Sequence, residues 1–546
     1  MKNTIITFLA ILFLSCNIAS SQKRKNKEKK PNIVLIFADD LGWTDVSTGN
    51  TNGGRGSKRY KTPVIDQLAL EGMSFAYAYT NQNCAPSRAS LISGQYPTGA
   101  DNQVYNVGSL SRQDKRTQGF PDLSIKPFQQ KKVIAEDGIN IFDVLKTQGY
   151  KTAFVGKSHG TPHPLVGDFG IDLPADIHHI IAAPVDGKRK KSYYLALQSD
   201  EKGWTFSSEY VDKYATPYNQ NYINTILKPY ITRSEVSLID GTPKHLTDAI
   251  GDFSVDYIKD HANGDKPFFL YVPFHAVHSK VVGRKDLTEK YRKRGLNERL
   301  AEYASMIELL DQNIGKINRA IKDPNGDGDV SDDITNNTIF IVYSDNGGLK
   351  DNKPLTGKKG TLTEGGIRVP LIFRYPGVIK ANMITNQSVH CIDFLPTLAE
   401  LTGVNLSTLK KPDGSSPQYD GVSFAKILKD EKQWLSRENL FWHLPGYMDE
   451  RFSPSTLIQT RVGTDYYKLF YFYETQTFTM YHLNSDISEK NNLLKKPTKK
   501  QLKIALQMNA DMLAWLKTNK APTGTWVKNG ENVSYPLKRD VKKYKN

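Results

Sequence analysis

After Asn32, residues 33–37 form an unbroken apolar run that stops abruptly in Ala38, Asp39, Asp40, Leu41 and Gly42. A short apolar run with polar boundaries predicts a strand buried on both faces, within 31–40, with two carboxylates at its C-terminal end. Similar runs predict strands over 152–155, 267–272, 338–343 and 369–373. Helical segments separate them. One is predicted over 62–72, with Pro63 in its first turn and Gly72 past its end, and another over 141–148, stopped by Gly149. The clearest helical period lies in 298–322, where Leu300, Tyr303, Ile307, Leu310, Ile314, Ile317 and Ile321 recur every three or four residues. Strands alternating with helices predict an α/β fold, a large and mostly parallel sheet sandwiched by helices, whose strand ends carry the chemistry. Past about residue 424 the pattern changes: 456–483 is rich in Tyr, Phe and Thr and predicts antiparallel hairpins, followed by a helix over 499–518. This reads as a smaller C-terminal α+β domain with an antiparallel sheet. The stretches 100–140 and 160–245 carry no clear period and read as insertions around a pocket.

Composition narrows the class. The chain has 546 residues, 38% hydrophobic and 24% charged, with 40 Gly, 27 Pro and only 3 Cys, which is globular composition on a scale that supports more than one domain. No apolar run outside the first twenty residues approaches the ~20 needed to cross a bilayer, which excludes a multispanning helical protein. The formal charge of +16 is concentrated in the tails: 23–30 contributes +5, the last thirteen residues +4 and Lys2 one more, leaving +6 for the body. Without a basic, aromatic-interleaved stripe, no nucleic-acid partner is expected. Residues 1–22 place Lys2 before an apolar stretch and then small residues, the pattern of a secretory signal peptide, so the protein is expected to be exported, to the periplasm or beyond. Residues 13–16 also form an imperfect lipoprotein signal ending at Cys16, a candidate outer-membrane lipid anchor. The expected organisation is therefore signal 1–22, basic leader 23–30, a large α/β domain 31–425, C-terminal α+β domain 426–533 and basic tail 534–546. Only Cys84 and Cys391 remain in the folded body, too few for a disulfide-built fold.

Several polar groups stand out by their positions. Cys84 precedes Ala85, Pro86, Ser87 and Arg88 just before an expected helix start, where it is either a thiol of lowered pKa or a small buried hydrophobe. Asp39 and Asp40 at one strand end, with Asp345 and Asn346 at another, offer an all-oxygen donor set suited to a hard divalent cation, or are turn residues. Lys157 and His159 follow the strand at 152–155, and His275 and His278 follow the one at 267–272. The two histidines lack the Glu and third ligand of a zinc protease. Separately, Asp323, Asn325, Asp327 and Asp329 match the early positions of a calcium loop with Gly328 at its sixth, but Ile334 occupies the twelfth, where Glu is expected. That run is a candidate second calcium loop or a solvated acidic turn.

Taken together, these residues resemble the type I sulfatase family. Cys84, Pro86 and Arg88 match its Cys-x-Pro-x-Arg signature. Residues 149–159 match a Gly-Tyr-x-Thr…Gly-Lys-Trp-His block, with Ser158 where Trp is usual, and residues 352–370 match a block that supplies a sulfate-binding lysine, here Lys359, with Thr356 where Arg is frequent. Six blocks fall in the family's order between residues 31 and 370. The resemblance implies an alkaline phosphatase-like fold and a sulfuric ester hydrolase. It also implies that a maturation enzyme oxidises Cys84 to formylglycine (3-oxoalanine), whose hydrate offers one hydroxyl to attack sulfur and another to expel sulfate. It implies Ca2+ held by Asp39, Asp40, Asp345, Asn346 and the modified Cys84; Arg88, Lys157 and Lys359 as the cations around the sulfate; and His159 as base and His278 as acid. The expected substrate is a sulfated carbohydrate, a polysaccharide or its oligosaccharides of algal type such as ulvan or carrageenan, or a glycosaminoglycan. His275, Trp442, His443, Tyr447 and Arg461 are candidate sugar contacts. Two other readings remain open at this point: a phosphoester or phosphonate hydrolase of the same superfamily, and a surface glycan-binding lipoprotein without catalysis.

Overall fold

The computed structural model describes residues 29–108, 123–157, 159, 214, 216–232, 234–279, 281–350, 352–448 and 452–544. The expected export signal, Cys16, most of the basic leader and the greater part of the 160–245 insertion lie outside the described residues. In chain order the main elements begin with β1 (Asn32–Ala38), α1 (Pro63–Glu71), β2 (Met73–Tyr79), α2 (Cys84–Ser93), β3 (Ile125–Lys126), α3 (Ile141–Lys146) and β4 (Lys151–Phe154). There follow α4 (Leu246–His261), β5 (Phe268–Pro273), α5 (Lys285–Lys293), α6 (Glu298–Lys322), β6 (Thr338–Ser344), β7 (Leu371–Arg374), β8 (Met383–His390) and α7 (Phe394–Thr402). The C-terminal part adds β9 (Asn439–Leu444), β10 (Ser455–Val462), β11 (Asp465–Phe472), β12 (Thr477–His482), α8 (Lys499–Thr518) and β13 (Thr525–Trp526).

Seven strands form the large sheet in the order β4-β5-β1-β6-β7-β2-β8. All pairings are parallel except those of β7, which runs against both β6 and β2. The expected mostly parallel sheet is therefore present, with one reversed strand that the sequence did not mark. β2 and β8 also escaped prediction: Ser74, Ala76 and Ala78 dilute the apolar character of β2, and β8 reads Met-Ile-Thr-Asn-Gln-Ser-Val-His.

β1 is buried throughout and serves two cores at once. Val34 and Ile36 face a layer that includes Ile250, Ile307, Leu310 and Ile314 from α4 and α6, while Ile33, Leu35 and Phe37 face Leu91, Phe142 and Leu395 from α2, α3 and α7. Period-two alternation within an all-apolar run thus fills both sides of the sheet. α6 is capped by the Asn297 side chain, which accepts from the Leu300 amide at 3.1 Å. It also caps a neighbour. Thr62 makes no side-chain cap for α1, and Asp311 of α6 accepts from the Val64 and Ile65 amides at 3.1 and 2.9 Å. The smaller sheet, β12-β11-β10-β9, is antiparallel, and α8 packs Ala505, Met508, Met512 and Leu516 against it. Among the described residues no helix is long and apolar enough to cross a membrane.

Between α4 and α6 lies a buried ionic knot. Asp248 accepts from Arg284 at 3.0 Å, Lys316 at 2.8 Å and Asn313 at 3.0 Å, while Arg284 also grips Asp286 and Lys316 also reaches Asp252. Against the penalty of burial, Lys316 and Arg284 hold the Asp248 carboxyl well below its ordinary 3.8. A depressed folded-state pKa contributes stability above the unfolded value and loses it as pH falls. Asp248→Asn is expected to cost about 3 kcal/mol at neutral pH, the scale for breaking a buried pair. In denaturant titrations across pH its deficit should shrink below about pH 4; a deficit independent of pH would contradict this account.

Candidate active site

Pairing register brings the distant carboxylates together. Phe37 lies opposite Pro273 and Ala38 opposite Ser344, so β1, β5 and β6 end side by side and deliver Asp39, Asp40, Asp345 and Asn346 to one point. The turns are tied across the sheet: the Asp39 amide donates to the Ala276 carbonyl at 2.9 Å, and the Asp40 amide to Asp345 Oδ1 at 3.0 Å. Asp40 adopts φ 60, a left-handed conformation that Asp tolerates better than most residues and that turns the chain out of the strand. Beside Asn346, the backbone closes so tightly that a Cβ on Gly347 would lie 1.9 Å from the Gly365 carbonyl. Only glycine fits there.

Cys84 is the first residue of α2, with Asn83 at the N-cap, so the helix begins at the cluster with its amide ends facing it. The Cys84 thiol donates to Asp39 Oδ1 at 3.3 Å and accepts from Lys359 Nζ at 3.0 Å. Arg88, one turn along, donates through Nε and Nη2 to Asp345 Oδ2 at 3.0 and 2.7 Å, and through Nη1 to the Lys157 carbonyl at 3.2 Å. Lys157 pairs with Asp39 and Lys359 with Asp40 at 2.6 Å. Three buried carboxylates thus face three cations.

Burial, then the Asp345 and Asp39 charges, push the Cys84 thiol far above its ordinary value of 9.0. The reading of Cys84 as a thiol of lowered pKa is thereby overturned: negative neighbours outweigh the helix end, and the unmodified group is a buried, protonated thiol. Burial and the Asp39 charge raise Asp345 to about 7, the cost of crowding carboxylates away from water. His278 lies with Nε2 4.0 Å from Asp40 Oδ2, and its Nδ1 donates to the Ser279 carbonyl at 2.5 Å. His159 sits beside Lys157 with its residue surface exposed; desolvation by the surrounding protein and then the Lys157 and Arg88 cations push its imidazole down to about 3. It is neutral at any working pH.

The donor set fits a cation. Ligand atoms of Asp39, Asp40, Cys84 and Asp345 all lie within 4.8 Å of one another. Among the described residues, Asp40 Oδ2 and Asn346 Oδ1 are buried without a hydrogen-bond partner, which an ion bound between them would satisfy.

Other expected contacts lie elsewhere. His443 is buried, with Nε2 2.7 Å from the Pro522 carbonyl and Nδ1 3.4 Å from the Tyr473 hydroxyl. Trp442 donates to the Thr80 carbonyl, and Tyr447 donates to Glu474 while accepting from the Ser124 and Ile125 amides. Arg461 stacks 4.7 Å over Trp434 and donates to the Leu435 carbonyl. These four are corrected to structural roles, because folding the C-terminal sheet uses the polar atoms that a sugar would need. His275 is half-buried on the same turn as His278. In the Asp323 loop, Asp323 accepts from the Gly326 and Gly328 amides, Asn325 from Asp327 and Asp327 from Asp329, all exposed. This loop precedes β6, whose length, ~23 Å, separates it from Asp345. Asp45 went unnoticed in the sequence; it accepts from the Gly42 amide at 2.8 Å and the Tyr303 hydroxyl at 2.7 Å, bracing the turn behind Asp40. The spacing of Gly42 and Asp45 was the available signal.

A family model described as Sulfatase matches residues 31–404, which contain every residue of this cluster. The chain belongs to the sulfatase family. It is a sulfuric ester hydrolase. A second model, N-sulphoglucosamine sulphohydrolase, C-terminal, matches residues 358–515. A protein named sulfatase from Formosa agariphila is 48% identical over 98% of this chain and 97% of its own length. An N-acetylgalactosamine-6-O-sulfatase from Bacteroides thetaiotaomicron is 26% identical over 89% and 93%. Among solved structures, Ps i-CgsB matches at a TM-score of 0.62 and 23% identity, covering 90% of this chain and 98% of its own, and supports the same fold.

Free divalent cation at a hundred times its Kd should stabilise the protein by about 2.7 kcal/mol if this cluster binds it. Calorimetry with added Ca2+ after chelation checks this, and Asp40→Asn should abolish the response. A response that survives in Asp40→Asn would move the ion elsewhere.

Proposed function

We propose that this sulfatase removes O-sulfate from a sulfated carbohydrate, a polysaccharide or an oligosaccharide derived from it, using formylglycine made from Cys84 by a maturation enzyme. The observation that carries the reading is the position of Cys84, enclosed by Asp39, Lys359 and, through the carboxylates, Arg88 and Lys157. Burial and the Asp345 and Asp39 charges disfavour a thiolate at Cys84, which supports conversion over direct attack by the thiol. Formylglycine supplies a hydrated aldehyde whose hydroxyl is the attacking group. Asp39, Asp40, Asp345 and Asn346 would hold Ca2+, which would supply Lewis acidity there.

The chain's own side chains do the rest. Lys157 and Lys359 neutralise sulfate oxygens as charge redistributes, and their carboxylate partners hold them in place beforehand, so no reorganisation is needed in the transition state. Arg88 clamps Asp345 through two bonds and fixes its orientation. His159, beside Lys157, is assigned as the base, although the neighbouring cations lower its proton affinity. In His278 the Ser279 carbonyl accepts from Nδ1, leaving Nε2 4.0 Å from Asp40 Oδ2; burial lowers the imidazole's pKa and Asp39 and Asp40 oppose that, and Nε2, when protonated, is assigned as the donor to the leaving sugar oxygen.

The carbohydrate class is supported by the relatives. One is named for N-acetylgalactosamine-6-O-sulfate, one structure was solved with k-i-k-neocarrahexaose and another with D-glucosamine-2-N,6-O-disulfate as its substrate. An exported protein, anchored through Cys16 or free, meets such polymers outside the cytoplasm.

The test is inorganic sulfate released from carrageenan, ulvan and glycosaminoglycan oligosaccharides by protein coexpressed with a maturation enzyme. Cys84→Ala should release none, and Lys157→Ala and Lys359→Ala should each lower kcat/KM by about 10²-fold or more. Peptide mass should show the thiol replaced by an aldehyde. Turnover of phosphate esters in place of every sulfated sugar would sink the proposal.

A further inference from the structure

The segment that carries Lys359 has little structure of its own. It turns through Gly357 at φ 82 and Gly360 at φ 90, then makes a single helical turn, Glu364–Ile367, which includes Gly365 and Gly366. Glycine-rich chain loses the most conformational freedom when it is fixed. Yet Lys359 Nζ is held at 3.0 Å from Cys84 Sγ and 2.6 Å from Asp40 Oδ1, so something else must fix it. On the catalytic side, the Lys359 amide donates to the Gly348 carbonyl at 3.2 Å and the Gly360 amide to Gln82 at 2.7 Å.

The Gly347 amide also donates to the Gly366 carbonyl at 2.8 Å and Asn352 Nδ2 to the Gly365 carbonyl at 3.0 Å, and further ties come from the C-terminal part, from β11 and the loop after β12. Thr356 Oγ1 donates to the Ser488 carbonyl at 2.5 Å. The Glu364 amide donates to Glu489 Oε2 at 2.7 Å. Lys468, in the middle of β11, reaches across with Nζ 2.9 Å from both Glu364 Oε1 and Glu489 Oε1, and the lysine and Glu364 side chains are fully buried. Glu364 Oε2 in turn accepts from the Tyr79 hydroxyl at 2.9 Å and Arg368 Nη1 at 3.2 Å, joining the end of β2 to the same knot. Two carboxylates and two cations therefore balance without solvent. Burying such a set gains little over an apolar contact of equal volume, but its directional bonds admit one register only.

We propose that Lys468 and Glu489 are positioning residues: through Glu364 they hold the 353–368 segment so that Lys359 Nζ stands at Cys84 and Asp40. The importance of that placement for turnover rests on the sulfatase reading above; the placement itself does not. The C-terminal sheet is on this account part of the active-site support, since no described strand of the large sheet makes the Lys468 and Glu489 bonds.

Competitive acetylation of lysines, read by peptide mass, tests it on the full chain. In Glu489→Gln the new amide turns a donor toward Lys468 or gives up the Glu364 amide; Lys468→Met leaves both carboxylates without their shared cation; and Thr356→Val removes an exposed bond at little risk to folding. Lys359 is expected to acetylate at least tenfold faster in Glu489→Gln and Lys468→Met, and more modestly faster in Thr356→Val, while Lys316 on α6 stays at its wild-type rate. Where wild type releases sulfate, kcat/KM should fall at least tenfold in Glu489→Gln, measured at a temperature where the variant is folded. Unchanged Lys359 labelling in Glu489→Gln and Thr356→Val, or a rise shared equally by Lys316, overturns the proposal. Wild type that carries formylglycine but turns over no sulfated sugar, with the labelling contrast intact, would overturn the sulfatase reading and leave the positioning role standing.

Discussion

Three carboxylates buried at the ends of parallel strands are the constraint around which this protein is arranged. Asp39, Asp40 and Asp345 share a space in which all three cannot stay ionised without compensation, and the rise of Asp345 to about 7 expresses that conflict. Arg88, Lys157 and Lys359 each answer one of them, and each comes from a different element: α2, the end of β4 and the glycine-rich segment before β7. The same charges that make the site costly to fold make it suited to a cation and a sulfate ester, since an anion and its leaving group need fixed positive charge in a dry setting.

The fold serves that cluster through register and layering. Parallel pairing of β1 with both β5 and β6 places the strand ends flush, and the helices on either face keep water from the strand interior. The one reversed strand of the large sheet, β7, begins three residues after Arg368, which ties the Lys359 segment back to the Ala76 carbonyl of β2 at 2.9 Å. Lys468 of the smaller sheet and Glu489 of the loop after β12 then tie down that segment through Glu364. The two family models overlap across residues 358–404, so the Lys359 segment belongs to both matched regions.

The corrected residues share a physical pattern. Trp442, His443, Tyr447 and Arg461 are aromatic or cationic residues in a β-rich region, which looks like a sugar-binding surface in sequence. In the structure, three are buried and Arg461 spends its guanidinium on Trp434 and backbone oxygen. Aromatic residues bring large apolar area to a sheet packed against a helix, and their polar tips are then satisfied internally. Composition does not distinguish the two uses.

The sequence by itself determined most of the sheet and singled out the polar residues that the structure gathers at the strand ends. A long apolar run marked β1, a seven-position stripe marked α6, and the helix at 499–518 emerged with its observed ends, because local period and capping follow directly from side-chain order. The motif blocks named the cluster because each block is short and local. What tertiary structure alone decided is every relation across long separations: the meeting of Asp40 with Asp345, the direction of β7, the capping of α1 by Asp311, and the tie from Lys468 to Glu364. These depend on strand register and helix packing, which are set by the whole core at once and leave no period in the chain.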